Sequence, residues 1–409
     1  MNLLLVCHVY PPELVPAAVT MVPELAEDLV RLGHRVTVVT GWPNHPAGVL
    51  FRGWRRRFRQ VTRDDRGFRV IRCWHTIHPR GNVFWRLLYY LTFGLSSMAN
   101  ALAAGPIDAV LCLSTPIFGS WSAWALARLK GARFVYDIFD LHPEAAHNAG
   151  LIGKGLAYAV WRTIDTLLCR KSDAIATLSE GMKDQIVERG IEPDKVAVVP
   201  FWMDAETVSP GPRDNPWRRR QQISPDTFVA LYAGTIGYIS GADVLIESAR
   251  ALSDRPDILL LCVGEGVAKD RIERLAARLG LANIRFLPFQ PAEVLSHMMA
   301  TADVGLVTLL PDAGKTSVPS KILGYLAAGR AVIASVDEDS ETARVLREGQ
   351  CGLVVPTQDG AALAAAVRQM ADNPEAAQRM GRSARRCLLE RFARDRCTKQ
   401  YEEMLTARR

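Results

Sequence analysis

The sequence predicts an α/β fold made of two doubly wound, Rossmann-like domains. Short apolar runs alternate with helix-length segments along the whole chain of 409 residues, which is the pattern of β-α-β units. Most of these runs are continuously apolar, as expected for parallel strands that are covered on both faces. The alternation stops at 209–223, where the segment SPGPRDNPWRRRQQI indicates an interdomain linker, and it restarts at Phe228.

Each domain contributes its own set of expected strands. In the first half they are 3–7, 35–40, 69–73, 109–113, 133–137, 174–178 and 196–200; in the second half they are 228–233, 258–263, 284–287, 304–308, 331–335 and 353–355. We expect the first domain to span 1–205 and the second to span 206–385. The remaining segment, 386–409, is expected to form a charged helix that returns toward the first domain.

The segment between the first two strands predicts an amphipathic helix. Val22, Leu25, Leu29 and Leu32 recur three or four residues apart, which places them on one stripe. Gly33 follows this stripe, and glycine often ends a helix because it tolerates the left-handed conformation. The helix is therefore expected to pack on the sheet through these four side chains.

Charge and cysteine usage limit the possible functions. A net charge of +7 favours an anionic partner, such as a nucleic acid, a phosphorylated ligand or an acidic lipid. No nucleic-acid-binding motif is found, so nucleic acid is not expected. The eight cysteines include no C-x-x-C pair and no zinc-like spacing, which suggests a reducing cytosol. The amino terminus reads as a strand, and no apolar run reaches the roughly 18 residues of a membrane span.

The most informative loop in the second half follows the strand 304–308. Pro319 suits a first helical turn, and Ser317 and Ser320 are candidate caps. Lys321 lies in the same first turn, where a cation opposes the helix dipole unless an anion is bound there. The alternative is a solvated surface lysine.

Two further loops in this half follow strands and are rich in glycine. In AGTIGYISG, the glycines Gly234, Gly237 and Gly241 would let backbone N–H groups approach a ligand, although a plain tight turn has the same composition. The second loop is VGEGVAK, at 263–269. Both loops should lie at the carboxyl edge of the second sheet, where ligands of doubly wound folds bind.

In the first half, polar side chains gather after the strand that ends at Asp137. The segment DIFDLHPEA brings Asp140, His142 and Glu144 together in sequence. A histidine at such a place is a candidate general base, or else a group that only forms structural hydrogen bonds. We therefore regard Asp140, His142 and Glu144 as candidate catalytic residues.

Several long segments resemble one family of enzymes. They are HVYPPELVPAAVTMVPELAEDLVRLGHRVTVVTGWPNHPAG, LSTPIFGSWSAWALARLKGARFVYDIFDLHPEA and TLSEGMKDQIVERGIEPDKVAVVPFWMD. A fourth motif, V-P-S-K-x-x-x-x-L-A-A-G-R, stands at 318–330. Together they resemble the retaining GT-B glycosyltransferases of family 4, in particular the WbuB-like and WcaI-like exopolysaccharide and O-antigen transferases. The resemblance implies two Rossmann-like domains that face each other across a cleft.

The resemblance also implies the activity and the site. The second domain would hold a nucleotide-sugar donor, UDP-linked, and the first domain would hold the acceptor, a polyprenyl-diphosphate-linked or other saccharide. Sugar transfer would proceed with retention, without a metal and without a cofactor. The donor residues carried over by position are Gly237, Tyr238, Gly264, Glu265, Phe286, Lys315, Pro319, Ser320, Lys321, Ser340, Glu341 and Thr342, and the acceptor residues are Glu13, Val15 and Pro16.

The chain departs from the wider family at three places. The E-x₇-E pair of the donor loop is replaced by Thr316 and Gly324. Thr235 and Ser240 stand near the places where many members have a basic pair, and Val15-Pro16-Ala17-Ala18 replaces the usual glycine pair. Lys315 and Lys321 are candidates to supply the missing positive charge.

A basic and aromatic region suggests contact with a membrane. The segment FRGWRRRFRQVTR, at 51–63, is followed by the aromatic-rich segment VFWRLLYYLTFGLSSMANALAA. This arrangement suits an interfacial helix beside a basic patch, which would keep the protein on the anionic inner face of the cell membrane. The alternative is a buried helix next to a solvated run of charges.

Two other functions are compatible with the same fold. A sugar-nucleotide 2-epimerase shares the GT-B architecture, which is an argument from fold alone. A non-catalytic partner subunit is the second alternative, because both glutamates of the donor loop are missing.

Overall fold

The computed structural model describes residues 1–13, 18–45, 48–78, 83–114, 117–148, 152–237, 239–315 and 318–407. The chain divides into two compact units. Unit 1 comprises Met1–Pro143, Lys154–Phe201 and Asp395–Arg409, and unit 2 comprises Glu144–Gly153 and Trp202–Arg394. Each unit is built around one sheet, so the predicted class of two doubly wound α/β domains is confirmed.

The strands are, in chain order, β1 Asn2–Val6, β2 Arg35–Thr40, β3 Arg59–Arg63, β4 Arg69–Cys73, β5 Ala109–Leu113, β6 Arg133–Ile138, β7 Ala174–Thr177, β8 Val196–Val198, β9 Phe228–Ala233, β10 Ile258–Val263, β11 Ile284–Leu287, β12 Val304–Thr308, β13 Ala331–Ser335 and β14 Gly352–Val355. The first sheet has the order β3-β4-β2-β1-β5-β6-β7-β8, and the second has the order β11-β10-β9-β12-β13-β14. In the described residues every neighbouring pair is parallel except β3 and β4.

The helices are, in chain order, α1 Ala18–Arg31, α2 Val83–Leu102, α3 Ile117–Lys130, α4 Glu144–Asn148, α5 Leu156–Lys171, α6 Glu180–Glu188, α7 Pro216–Arg220, α8 Asp243–Ala251, α9 Lys269–Arg278, α10 Leu295–Thr301, α11 Lys321–Ala327, α12 Glu341–Glu348, α13 Gly360–Asp372, α14 Pro374–Arg391 and α15 Arg394–Thr406. In the described ranges, short 3₁₀ turns lie at Pro193–Lys195, Ala292–Val294 and Ala313–Lys315. In each unit the strands and the helices that connect them enclose buried apolar side chains.

The apolar runs located the parallel strands well because such strands are buried on both faces. The central strands β5, β9, β10, β12 and β13 are buried at every position. All the expected strands are present, with ends that differ by one or two residues at most. Continuous burial therefore explains why a run of aliphatic residues was sufficient to find each strand.

One strand was not predicted from the sequence. The basic segment 51–63 was interpreted as a charged surface, but Arg59–Arg63 forms β3, which pairs antiparallel with β4 in the register Arg63↔Arg69. Gly67 has a φ of +98° in the turn between them, a conformation that favours glycine. An exposed edge strand needs no apolar residues, so its composition gave no signal.

The amphipathic helix expected before Gly33 is present as α1, with one correction. Val22, Leu25 and Leu29 are buried, but Leu32 lies beyond the last helical residue and is 54% exposed. Gly33 has a φ of +89°, and its N–H donates to the Val30 carbonyl oxygen at 2.9 Å. The helix therefore ends one residue too early for Leu32 to reach the core.

The last helix, α15, packs within unit 1. The Tyr401 hydroxyl donates to the Asp137 carboxylate at 2.9 Å, and both side chains are buried. The Arg133 Nε–H donates to the Met404 carbonyl oxygen at 2.7 Å. These contacts attach the end of the chain to β6.

Candidate functional site

In unit 2 the direction of strand progression reverses between β9 and β12. The chain proceeds outward from β9 to β11 on one side and outward from β12 to β14 on the other. In doubly wound sheets such a switch point leaves a crevice at the carboxyl ends of the two strands, where ligands bind. The loop after Ala233 and the loop after Thr308 therefore border the candidate site.

Two glycine-containing loops approach each other closely at this edge. The Gly234 N–H donates to the Val263 carbonyl oxygen at 2.9 Å, and the Ile236 N–H donates to the Glu265 carbonyl oxygen at 2.9 Å. A Cβ atom at Gly264 would collide with the Gly234 carbonyl oxygen. Only glycine is compatible with this spacing, so the backbone of both loops is held where it can face a ligand.

Lys321 lies at the centre of this region. Its Nζ is 3.7 Å from the centroid of the Tyr232 ring, and its Cε would be 3.3 Å from a Cβ atom at Gly234. Burial lowers the pKa of Lys321 to about 7. Within the part of the chain that the structure describes, its ammonium group forms no hydrogen bond or ion pair. The protein thus holds a basic group in a recess without an anion to balance its charge.

Tyr232 supports this lysine and was not identified from the sequence. It is fully buried at the penultimate position of β9, and its hydroxyl donates to the Thr235 carbonyl oxygen at 2.9 Å. An ammonium group over an aromatic face is stabilised by the negative potential of the ring. In the sequence, a tyrosine at the end of an apolar run looks like an ordinary core residue.

The loop before α12 contributes polar groups of different kinds. Ser340 caps the helix, because its hydroxyl accepts from the Ala343 N–H at 3.2 Å. Glu341 forms an ion pair with Arg344 at 2.8 Å, and burial raises the pKa of its carboxyl. The Thr342 Oγ1 is buried and has no hydrogen-bond partner among the described residues. Of the three, Thr342 is therefore the one with a polar atom left unused.

The other predicted donor residues are distributed along the same edge. Glu265 pairs with Lys269 at 2.7 Å, and Gly237 and Phe286 are partly buried. Pro319 and Ser320 are also partly buried, and the Ser320 side chain does not cap α11. Lys315 ends a 3₁₀ turn, but its side chain lies outside the described residues, as do Tyr238 and Ser317.

Unit 1 has its own switch point, between β1 and β5. Glu13 follows β1 and is buried; one carboxylate oxygen accepts from the N–H groups of Asn44 and His45 at 2.8 and 2.7 Å, and the other accepts from the Tyr10 N–H at 3.0 Å. Glu13 therefore fixes the shape of two loops at this edge. Val15 and Pro16, predicted to contact the acceptor with it, lie outside the described residues.

His142 is held by a buried network in unit 1. Its ring stacks on Trp161 with centroids 5.3 Å apart, and its two nitrogens have no hydrogen-bond partner among the described residues. The Asp165 carboxylate pairs with Arg189 at 2.8 Å, and Arg189 also donates to the His142 carbonyl oxygen at 3.4 Å. This pair fixes the backbone that carries the imidazole, and it was not identified from the sequence.

The other two candidate catalytic residues lie on either side of a boundary between the units. Asp140 is partly buried in unit 1, two residues beyond the end of β6. Glu144 begins α4, which belongs to unit 2, where the Asn148 side-chain amide donates to the Asp312 carbonyl oxygen at 3.2 Å. Asp140 and Glu144 therefore belong to different units.

Solved structures show the fold class directly. The chain is similar to a sucrose-phosphate synthase from Thermosynechococcus elongatus, with a TM-score of 0.78 and 18% identity over 98% of both chains. It is also similar to WaaG, a glycosyltransferase of lipopolysaccharide biosynthesis, with a TM-score of 0.68 and 18% identity over 99% of this chain and 100% of that one. HepE from Anabaena, in complex with UDP and glucose, matches with a TM-score of 0.72 and 15% identity over 99% of both chains.

Sequence comparisons agree with the fold. Residues 17–202 match the glycosyl transferase 4-like domain, and residues 214–387 match glycosyl transferases group 1. The chain is therefore a glycosyltransferase of the GT-B type. It is 29% identical to the putative colanic acid biosynthesis glycosyl transferase WcaI of Escherichia coli, over 85% of this chain and 86% of that protein. It is also 28% identical to a D-inositol 3-phosphate glycosyltransferase of Streptomyces coelicolor, over 64% of this chain and 61% of that protein.

Proposed function

We propose that this glycosyltransferase uses a nucleotide sugar, UDP-linked, as its donor and binds it at the carboxyl edge of the unit 2 sheet. The observation that carries this proposal is the position of Lys321. Its amino group lies in a recess, has no anion beside it, and adjoins a loop in which only glycine fits at position 264. A diphosphate supplies the missing negative charge and accepts hydrogen bonds from the lysine. The complex of HepE with UDP and glucose supports the same class of donor.

The proposed acceptor is a lipid-linked saccharide, a polyprenyl diphosphate carrying one or more sugars. This part of the proposal is supported by the relation to WcaI, whose name refers to colanic acid biosynthesis. A hexosyl or N-acetylhexosaminyl group would be transferred with retention, in the synthesis of a surface polysaccharide. Asp140, His142 and Glu144 would handle the acceptor, with the proton of the attacking hydroxyl passing to the donor phosphate or to one of them.

Lysine rather than a metal ion is proposed to stabilise the leaving group. As the bond to the sugar breaks, negative charge grows on the nucleoside diphosphate, and a fixed cation beside it lowers the barrier. Lys321, with Lys315 as a second candidate, would supply this charge. The proposed reaction therefore needs no divalent metal and no cofactor.

The protein is proposed to bind anionic membranes through unit 1. The outer face of α2 exposes Phe84, Leu87, Leu91 and Leu95, which recur three or four residues apart. The exposed arginines 55–57 precede Phe58, whose carbonyl oxygen accepts from Asn100 of α2 at 3.4 Å, so the basic segment adjoins this helix. In the described residues no helix is long and apolar enough to cross a membrane.

A thermal-shift screen tests the proposed donor. Wild-type protein should be stabilised by at least one sugar linked to UDP, and less or not at all by the same sugars linked to GDP or dTDP, because ligand binding to the folded state raises the melting temperature. Stabilisation by no nucleotide sugar would contradict the donor assignment. Stabilisation only by a GDP- or dTDP-sugar would keep the class and correct the base.

A further inference from the structure

A wide groove lies at the amino edge of the unit 1 sheet, at the opposite ends of the strands from Glu13 and Asp140. It has a volume of about 710 Å³, which is ample for a small molecule. Its walls come from the first residues of β1, β2 and β4, the last residues of β3 and the segment that joins α2 to β5. All of its lining residues lie within the described ranges. The groove therefore has the size of a binding site and is separate from the carboxyl edge of the same sheet.

Three arginines line this groove from one face of the sheet. Arg63 of β3 lies directly opposite Arg69 of β4, and Arg69 is paired in turn with Thr37 of β2. Arg35 lies two residues before Thr37 in β2, so its side chain is on the same face. Like charges directly opposite each other destabilise a sheet. The sheet thus carries an unfavourable arrangement that a bound anion would relieve.

The three guanidinium groups differ in how they are held. Arg69 donates to the Thr37 hydroxyl at 3.1 Å and to the Ala104 carbonyl oxygen at 2.9 Å, which fixes it against the segment after α2. In the part of the chain that the structure describes, the side chains of Arg35 and Arg63 form no hydrogen bond or ion pair, and both residues are exposed. Two guanidinium groups are therefore available to a ligand, beside a third that is fixed.

The carboxylates near this groove are already bonded to its wall. Asp108 accepts from the N–H and from the side-chain amide of Asn2 at 2.6 and 3.2 Å. Glu402 lies 3.2 Å from His34, whose other ring nitrogen is 3.3 Å from the terminal ammonium group of Met1. Among the described residues that line the groove there is no aspartate or glutamate. The charge of the arginines is therefore not balanced within the groove.

The remaining lining limits the kind of anion. Guanidinium groups bind phosphate through two parallel hydrogen bonds. No tryptophan, tyrosine or phenylalanine occurs among the described lining residues, so a nucleobase would have no ring to stack on. Aliphatic side chains take their place, which suits a ligand with a phosphate at one end and a hydrocarbon chain at the other. These side chains are Leu3, Leu4, Val30, Val36, Val61 and Ile107.

We infer that this groove binds a phosphate ester of an aliphatic alcohol, with Arg35, Arg63 and Arg69 around the phosphate and the chain along the aliphatic wall. A phospholipid head group and a soluble alkyl phosphate share this chemistry. The site is distinct from the residues proposed to hold the donor and the acceptor. Its ligand is therefore neither substrate of the proposed transfer.

Isothermal titration of the full-length protein tests this inference with three probes, which are monohexyl phosphate, inorganic phosphate and 1-hexanol. Wild-type protein should bind hexyl phosphate. It should bind inorganic phosphate at least about tenfold more weakly, because two methylene groups removed from water account for such a factor. Hexanol, which lacks the phosphate, should give no measurable binding. Equal affinity for hexyl phosphate and inorganic phosphate, or no binding of hexyl phosphate, would overturn the inference.

Two variants test the arginines. Arg35→Ser and Arg63→Ser should each weaken binding of hexyl phosphate by roughly three- to tenfold, as expected for the loss of one charge-assisted contact. Neither should lower the melting temperature, because neither side chain is bonded to the described part of the fold. Arg128→Ser is the matched control, since Arg128 is an exposed arginine of α3 outside the groove. Wild-type affinity in both groove variants would refute the assignment.

Competition identifies the source of the ligand. Vesicles of phosphatidylglycerol in phosphatidylcholine should lower the apparent affinity for hexyl phosphate if a lipid head group occupies the groove, and vesicles of phosphatidylcholine alone are the control. Binding of hexyl phosphate that these vesicles leave unchanged assigns the groove to a soluble alkyl phosphate. UDP at a concentration that saturates the donor site should not displace hexyl phosphate. Displacement by UDP would place the probe in the donor site and overturn the inference.

Discussion

At the scale of single residues, the candidate donor site is marked by Lys321, whose burial costs free energy because its charged form loses hydration. A lysine in a recess loses hydration, which is why its pKa falls to about 7, and its only compensation in the described residues is the Tyr232 ring. Such a perturbed cation at the carboxyl edge of a doubly wound sheet is typical of a functional group. Glu265 and Glu341 carry no such unbalanced charge, because each forms an ion pair with a neighbouring basic residue.

Lys321→Ala should weaken binding of the nucleoside diphosphate by roughly ten- to two-hundredfold, because a charge-assisted hydrogen bond contributes about 1.5–3 kcal/mol. Isothermal titration with UDP measures this effect. Lys399→Ala is the control, since Lys399 is an exposed lysine of α15. An equal dissociation constant for UDP in wild type and Lys321→Ala would remove Lys321 from the donor site.

The three candidate catalytic residues should affect the acceptor rather than the donor. Single alanine replacements of Asp140, His142 and Glu144 are expected to lower kcat/KM for the acceptor and to leave the dissociation constant for UDP unchanged. His142→Ala should show the largest decrease, because both of its ring nitrogens are unused by the described part of the protein. Wild-type kinetics in all three variants would mean that this loop is structural.

A site residue could be identified from the sequence only where its type conflicted with the secondary structure expected for its own segment. Lys321 was identified from the sequence because a cation in a first helical turn opposes the dipole. Tyr232 and the Asp165–Arg189 pair were missed, since each partner is ordinary in its own segment and becomes informative only when folding brings it to the other. Side chains that act through contacts distant in sequence leave no such local sign.

At the scale of elements, burial decides what the sequence reveals. The parallel strands were found because both of their faces are apolar, and β3 was missed because it is an exposed edge strand with arginine at both ends. The segment after β4 could have been a buried or an interfacial helix. The structure shows that one face of α2 is buried, with Phe93 and Ala101, and that the other face is exposed, with Leu87 and Leu91.

The contact between α15 and β6 should make stability depend on pH. Burial raises the pKa of Asp137 to about 8, well above the value of about 4 that is usual for an aspartate. Between these pH values the folded protein keeps a proton that the unfolded chain releases, so the free energy of unfolding should fall as pH rises from about 4 to about 8. Above that range this contribution should not change further.

Asp137→Asn removes this titration and keeps a polar group that can accept from the Tyr401 hydroxyl. The difference in melting temperature between variant and wild type should therefore grow in favour of the variant as pH rises from 5 to 8. Measuring both proteins by calorimetry across this range cancels the contributions of other groups. A constant difference at every pH would show that Asp137 ionises normally in the folded protein.

At the scale of the whole molecule, the apolar row of α2 and the basic segment beside it should act together on a membrane. Three arginines near an acidic leaflet contribute about 1 kcal/mol each, and salt screens this attraction. Wild-type protein should co-sediment with liposomes that contain anionic lipid, less at high salt, and hardly at all with neutral ones.

Two variants separate the contributions. Replacing Arg55, Arg56 and Arg57 by Ser should remove the dependence on salt, and replacing Leu87, Leu91 and Leu95 by Ser should lower recovery even at low salt. Leu389→Ser, an exposed leucine of unit 2, is the control. Equal recovery of all the proteins on anionic and neutral liposomes would mean that this surface faces only solvent.

Transfer of a sugar from a nucleotide donor to a lipid-linked saccharide is the central activity proposed for this protein. Incubation of the wild-type enzyme with radiolabelled UDP-sugars and polyprenyl-diphosphate saccharides, in excess EDTA, measures it most directly. Label is expected to move into the lipid fraction with EDTA present, and Lys321→Ala is expected to lose this transfer. Release of a 2-epimer from the donor alone, binding of the donor without any transfer, or transfer that is abolished by EDTA and restored by manganese would each contradict it.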